Sequence, residues 1–169
     1  MNTFRQDLEP DLALVDGQAV VRFEQTWDTD AADLWEAVTD PGRLARWFAP
    51  VEGDPVVGGE VVVHFDDGDV PGLRVLACDA GRSFTVAWPM AQGGSEVDVE
   101  VRADGPARST LVLTHRLLPR DKAAGYAAGW TAHVGHLHAH LAGGKPGDWA
   151  AAFGAARERM VARVAALGD

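Results

Sequence analysis

Apolar and polar positions along this chain change period three times. From Gln18 to Trp27 they alternate: Val21, Phe23, Gln25 and Trp27 fall on one side, Val20, Arg22, Glu24 and Thr26 on the other. That is strand spacing. Thr29 and Asp30 then offer caps for a short helix whose apolar stripe is Leu34, Trp35 and Val38. Asp40-Pro41 ends it and opens a second short helix carrying Leu44, Trp47 and Phe48, which Pro50 stops. Strand spacing returns over Glu60–Phe65, Leu73–Cys78, Ser83–Trp88, Glu96–Arg102 and Thr110–Leu117, separated by turn residues such as Asp79-Ala80-Gly81, Gln92-Gly93-Gly94-Ser95 and Asp104-Gly105-Pro106. The clearest alternation is Val97, Val99 and Val101 against Glu96, Asp98, Glu100 and Arg102. A sheet with one wet face must pack its other face on something.

After Pro119 the period becomes helical. From about Asp121 to Leu141, the residues Tyr126, Trp130, Val134, Leu137 and Leu141 form one stripe, and Gly143-Gly144 closes the helix. Asp148 can cap a last helix with Trp149, Phe153 and Met160. The expected architecture is α+β: a curved antiparallel sheet of about six strands wrapped around a long C-terminal helix, with two short helices after the first strand and one extra helix at the end. Residues 1–16 read as a leader or an irregular edge segment, 17–143 as the sheet-and-helix domain, and 144–169 as a linker and helix packed on the same domain. Sheet and long helix together enclose a space that side chains fill or that remains a cavity.

Composition narrows the function. The net charge of −10 excludes the basic surface that nucleic acid requires and repels anionic membranes. No apolar run reaches the ~20 residues that span a bilayer, and no apolar segment follows the first residues as a signal peptide would demand. Cys78 is the only cysteine, so no internal disulfide forms; in Val75-Leu76-Ala77-Cys78 it reads as a small buried hydrophobe. A reducing cytoplasm is the expected compartment. Abundant alanine, glycine, valine and arginine with little lysine suits a GC-rich bacterial genome.

Trp35-Glu36-Ala37-Val38-Thr39-Asp40-Pro41 followed by Leu44-Ala45-Arg46-Trp47-Phe48 resembles the start of the SRPBCC (START-like) superfamily. More narrowly, it resembles the group named after the activator of the ninety-kilodalton heat-shock protein ATPase. Gly58-Gly59, Phe84-Thr85-Val86-Ala87-Trp88, Leu111-Val112-Leu113-Thr114-His115 and Gly129-Trp130 continue that resemblance in order over roughly residues 18–143. It implies the helix-grip fold. It brings no catalytic signature. The superfamily includes lipid-transfer domains, polyketide cyclases and stress-related plant proteins, and fold alone does not choose among them. Eukaryotic heat-shock activators carry an additional N-terminal domain that residues 1–16 do not supply.

The candidate chemistry is sparse. Trp47, Phe48, Trp88, Tyr126, Trp130 and Leu137 fall on expected inward faces and can wall a cavity, with Arg74, Tyr126, His115 and His133 as its polar points. His115 alternates with Leu111 and Leu113, so it shares their face, either as a core histidine or as a ligand contact. His133 and His140 border the apolar stripe of the long helix, about 10 Å apart, too far to share an ion; His136 and His138 are expected to be solvated or at a pocket edge. No metal set and no cofactor motif is complete, and no nucleophile stands beside His115. The Asp66-Asp67-Gly68-Asp69 turn lacks the ligand spacing of an EF-hand. The expected activity is therefore binding of a small hydrophobic molecule, a lipid or aromatic metabolite, with no catalytic residue. A cyclase or dehydratase using His115 with Tyr126 or Arg74 is the second reading, and a co-chaperone module the third. Apolar residues of the last helix also permit a homodimer.

Overall fold

The computed structural model describes residues 8–91 and 93–168. The first seven residues of the expected leader, and Gln92 of the expected turn, lie outside the described residues. Eight antiparallel strands form one sheet: β1 (Asp11–Val15), β2 (Gln18–Trp27), β3 (Val51–Gly53), β4 (Glu60–Val63), β5 (Gly72–Asp79), β6 (Ser83–Pro89), β7 (Gly94–Ala103) and β8 (Ser109–Leu118). Their order is β1-β2-β8-β7-β6-β5-β4-β3. Two short helices, α1 (Ala31–Thr39) and α2 (Pro41–Trp47), bridge β2 and β3; the long α3 (Arg120–Leu141) and then α4 (Trp149–Ala165) follow β8.

Six of these strands are those the alternation predicts. The two additions, β1 and β3, are the sheet's edges. Both are too short to show a clear period, and both exist because a neighbour templates them. Asp16 (φ 52°) and Gly17 (φ 78°) both take the left-handed conformation that a two-residue hairpin requires, so Val15 comes to lie opposite Gln18. Capping is as the sequence suggests. The Asp30 carboxylate accepts the Asp33 N–H, Asp40 accepts the Arg43 N–H ahead of α2, and Asp148 accepts from Ala150 at the start of α4.

The outer face of the sheet is wet and charged. Arg102 pairs with Glu24 and Glu100, and Arg116 with Glu96 and Asp98. The inner face carries Val21, Phe23, Val86, Val97, Val99, Leu111 and Leu113, all buried. α3 crosses this face, but its burial runs round more than one side. Ala123, Ala127, Ala128, Trp130, Ala132, His133, Val134 and Leu137 are all buried, because α4 packs along the flank that the sheet leaves open. Met160 and Val164 of α4 complete that contact. No described helix is long and apolar enough to cross a membrane.

One irregularity redirects a strand. Between Val75 and Ala77 the pairing of β5 with β6 slips by one residue at Leu76, so Val75 faces Val86 while Cys78 faces Phe84. Past the bulge, Cys78 lies on the inner side, bordering the space between the sheet and the two short helices. It is exposed rather than buried, contrary to the reading from its apolar neighbours.

Candidate functional site

Two cavities share one wall. The first, of about 460 Å³, lies between the inner face of the sheet and the short helices. Val75, Val86, Val97, Val99, Leu111 and Leu113 supply its sheet side; Trp35, Leu44 and Trp47 come from α1 and α2, and Cys78 and Phe84 stand at its rim. Such a volume suits a small ligand, and the lining is almost wholly apolar. The second, of about 1050 Å³, is a more open chamber between α3, α4 and the turn after β4. Phe65, Tyr126, His133, Trp149, Phe153 and Arg157 line it.

Phe48, Trp88 and Trp130 border both. Phe48 and Trp130 stack with centroids 5.8 Å apart and planes 1° from parallel, and Trp88 meets Trp130 edge-on at 5.8 Å. The wall is held by hydrogen bonds behind it. Trp130 donates its indole N–H to His115 Nδ1 at 2.9 Å. That leaves His115 Nε2 as the protonated nitrogen, 2.8 Å from Ser95 Oγ, which in turn reaches the Trp88 carbonyl at 3.3 Å. His115 is wholly buried, and burial pushes its pKa down to about 3. It is a neutral, fully bonded core residue that fixes the wall and lines neither cavity. Burial raises the pKa of Tyr126, whose ring meets Trp88 edge-on with centroids 6.3 Å apart.

The remaining expected site residues divide. Phe48, Trp88, Tyr126, Trp130 and His133 come together around the larger chamber, and Trp47, Phe48, Trp88 and Trp130 around the smaller. Leu137 is fully buried in the core and reaches neither cavity. Arg74 is corrected outright. Leu73 and Val75 take the inner side, so Arg74 between them is exposed on the outer face, opposite Glu60. His138 and His140 are likewise not rim groups. Trp27 donates to His138 Nδ1 at 2.8 Å while Gln25 meets its Nε2, and Arg43 donates to His140 while pairing with Asp33. The end of the β2 row and the start of α2 rise far enough to meet α3. Among the described residues no group of side chains is arranged to hold a metal ion.

His133 is the exception among the buried histidines. Burial holds its pKa near 3, although a hydrogen bond to the Trp47 backbone acts the other way. His133 Nδ1 is buried with no hydrogen-bond partner in the protein, and so is Trp149 Nε1. The two rings lie 5.4 Å apart between centroids, and Trp149 stacks on Phe153 at 5.0 Å. Each such orphan costs about 1–3 kcal/mol. The sequence places Trp149 and Phe153 on the last helix. Their i, i+4 spacing was visible; that they complete a chamber with His133 depends on how α4 docks.

The family model described as Activator of Hsp90 ATPase homolog 1-like protein matches residues 28–142, well over half of the chain. No curated protein matches. Among solved structures, CalU16 from Micromonospora echinospora superposes with a TM-score of 0.76 at 22% identity, over 92% of this chain and 97% of that one. DynU16, a protein of the dynemicin biosynthetic locus, gives a TM-score of 0.68 at 28% identity, over 78% of this chain and 49% of that one. PFC0360w, an HSP90 activator from Plasmodium falciparum, gives 0.52 at 20% identity, over 60% of this chain and 74% of that one.

Proposed function

Since the chain belongs to the family of Activator of Hsp90 ATPase homolog 1-like proteins, we propose that its interior cavity takes up a small hydrophobic molecule, a lipid or an aromatic metabolite. The observation that supports this is the cavity of about 460 Å³ walled by valines and leucines of the sheet and aromatic rings of the helices. A side-chain core of this size would ordinarily close to crystal-like packing, and space of this volume with apolar walls gains most from an apolar guest. The kinship with DynU16 of a biosynthetic locus agrees with a small-molecule role.

An acid–base reading draws less support from the same geometry. His115 has both ring nitrogens engaged, and Arg74 points away, which leaves Tyr126 without either as a partner. No pair of these groups is free to exchange protons with a bound molecule.

Cys78 provides the test. It is the only thiol of the chain, exposed, and at the rim of this cavity. A panel of fatty acids and aromatic metabolites is screened by thermal shift and native mass spectrometry, and each binder is then assayed for protection of Cys78 from a methanethiosulfonate reagent. A binder of this cavity slows modification at least several-fold. If every binder in the panel leaves the labelling rate unchanged, or if nothing in it binds, the reading fails.

A further inference from the structure

The interior cavity is defined as much by the charges missing from its lining as by its apolar walls. Among the described residues that border it there is no lysine, arginine or histidine, and the one acid is Glu52. Glu52 stands at the exposed rim, its carboxylate 2.8 Å from His64 Nε2. Polar side chains of the lining already have protein partners. Thr39 donates to the Trp35 carbonyl at 2.7 Å, Trp47 to the Ala37 carbonyl at 2.8 Å and Trp130 to His115 at 2.9 Å. The mouth adds further acids. Asp54 stands between Gly53 and Pro55, and Asp79 between Cys78 and Ala80, and these four neighbours all border the cavity. Arg82, on the same turn as Asp79, lies 3.9 Å from its carboxylate. The arginines of α2 are turned toward α3: Arg43 donates to His140 and pairs with Asp33, and Arg46 is close enough to His140 to lower its pKa.

On the premise that this cavity takes up a small hydrophobic molecule, we infer that its guest is uncharged and that carboxylic acids enter only in their protonated form. Moving a carboxylate from water into apolar surroundings without a cation is so costly that the group takes up a proton instead. The indole and hydroxyl dipoles of the lining can meet a hydroxyl or a carbonyl oxygen, but they carry no charge to offset an anion. A flexible acid that leaves its head outside sets it against Glu52 and Asp54, with His64 and Arg82 already beside carboxylates. The net charge of −10 opposes the approach of any anion as well. The class that remains is neutral: polycyclic aromatics with their alcohols and ketones, and uncharged lipids. Fatty acids and aromatic acids fall outside it.

The experiment compares 9-anthracenemethanol with anthracene-9-carboxylate. The two share one rigid body, and the head sits at the middle of its long edge, so it enters with the rings. Binding to the full chain is followed by fluorescence titration between pH 6.5 and 8, and each probe is tested at each pH for protection of Cys78 from the methanethiosulfonate reagent. The expected result is that the alcohol binds with the same affinity across this range and slows Cys78 labelling several-fold. At pH 7.5 the carboxylate binds in the cavity at least tenfold more weakly. Whatever binding it shows there falls about tenfold for each unit of rising pH, because only the form protonated with a pKa near about 4 enters. Carboxylate that binds without protecting Cys78 is held elsewhere and counts as excluded. The inference is overturned, and uptake of a hydrophobic guest stands, if the carboxylate protects Cys78 and binds within tenfold of the alcohol, or if its protective binding does not change with pH. If neither probe protects Cys78, uptake into this cavity fails and the inference falls with it.

Discussion

The two cavities differ in how their polar atoms are treated. Around the interior cavity, the buried polar groups are spent on structure: Trp47 donates to the Ala37 carbonyl, Trp130 to His115, and His115 meets Ser95. Around the outer chamber, His133 and Trp149 keep one buried polar atom each without a protein partner. The same residue types thus serve two ends. A tryptophan whose N–H is bonded stiffens a wall, and a tryptophan whose N–H is buried and unbonded leaves a donor unsatisfied at a cost in stability. The difference comes from docking partners: α3 meets the sheet through bonded rings, and meets α4 through alanines and the tilted contact of His133 with Trp149.

The largest expected effect tests the wall. Trp130→Ala removes a buried ring, its stack with Phe48 and the donor to His115, and should cost about 3–5 kcal/mol. Urea denaturation gives the value, and a loss below about 1 kcal/mol would mean that the wall is not a structural element. Next in size is an acid effect. His115 and His133 have pKa values near 3 in the folded protein against 6.5 for free histidine. The unfolded chain therefore binds protons below about pH 6.5 that the native protein refuses. Stability is complete above that pH and falls as pH drops toward 3, by about 1.4 kcal/mol per pH unit for each histidine. Denaturation between pH 4 and 8 should show this slope, flattened in His115→Gln and in His133→Gln. At neutral pH, His115→Gln should be the more damaging of the two, because it strands two partners where His133→Gln strands one. Equal losses would erase the distinction between the bonded and the half-bonded histidine.

The smallest effect has the opposite sign. Trp149→Phe deletes an unpaired buried N–H while keeping a ring on Phe153. Thermal melts of the protein without added probe should show no loss, and a gain of up to about 1 kcal/mol. Destabilisation beyond about 1 kcal/mol would show that the Trp149 N–H is bonded in solution. Trp130→Ala and Trp149→Phe, taken together, measure the difference between the two chambers on a single scale.

Much of this arrangement was legible in the chain. Val97, Val99 and Val101 alternate with charged residues and do form the inner row of β7; Tyr126, Trp130, Val134 and Leu137 recur at helical spacing and do lie along α3. What was not legible has identifiable causes. Arg74 sat beside inward residues in a strand whose phase a single pair, Leu73 and Val75, determines. Cys78 followed a bulge, and a bulge leaves no mark in a pattern of apolar letters. β1 and β3 are edge strands defined by partners. The histidines of α3 were sorted by angle about the helix axis, but their roles depend on Trp27, Arg43 and Trp47 from distant segments. For the site itself, the sequence points to Phe48, Trp88, Tyr126, Trp130 and His133 as walls of a single space between sheet and long helix; all five border the outer chamber, whose closure by α4 the pattern does not show.

The stacked pair of Phe48 and Trp130 sets a rule for anyone redesigning specificity. Because these rings face both spaces, shortening either one enlarges both cavities together, and no substitution there tunes one space alone. Independent control has to come from private positions. Val99 and Leu111 belong only to the interior space, and Phe153 and Gly129 only to the outer one. The molecule thus offers two adjustable volumes joined by one shared dial.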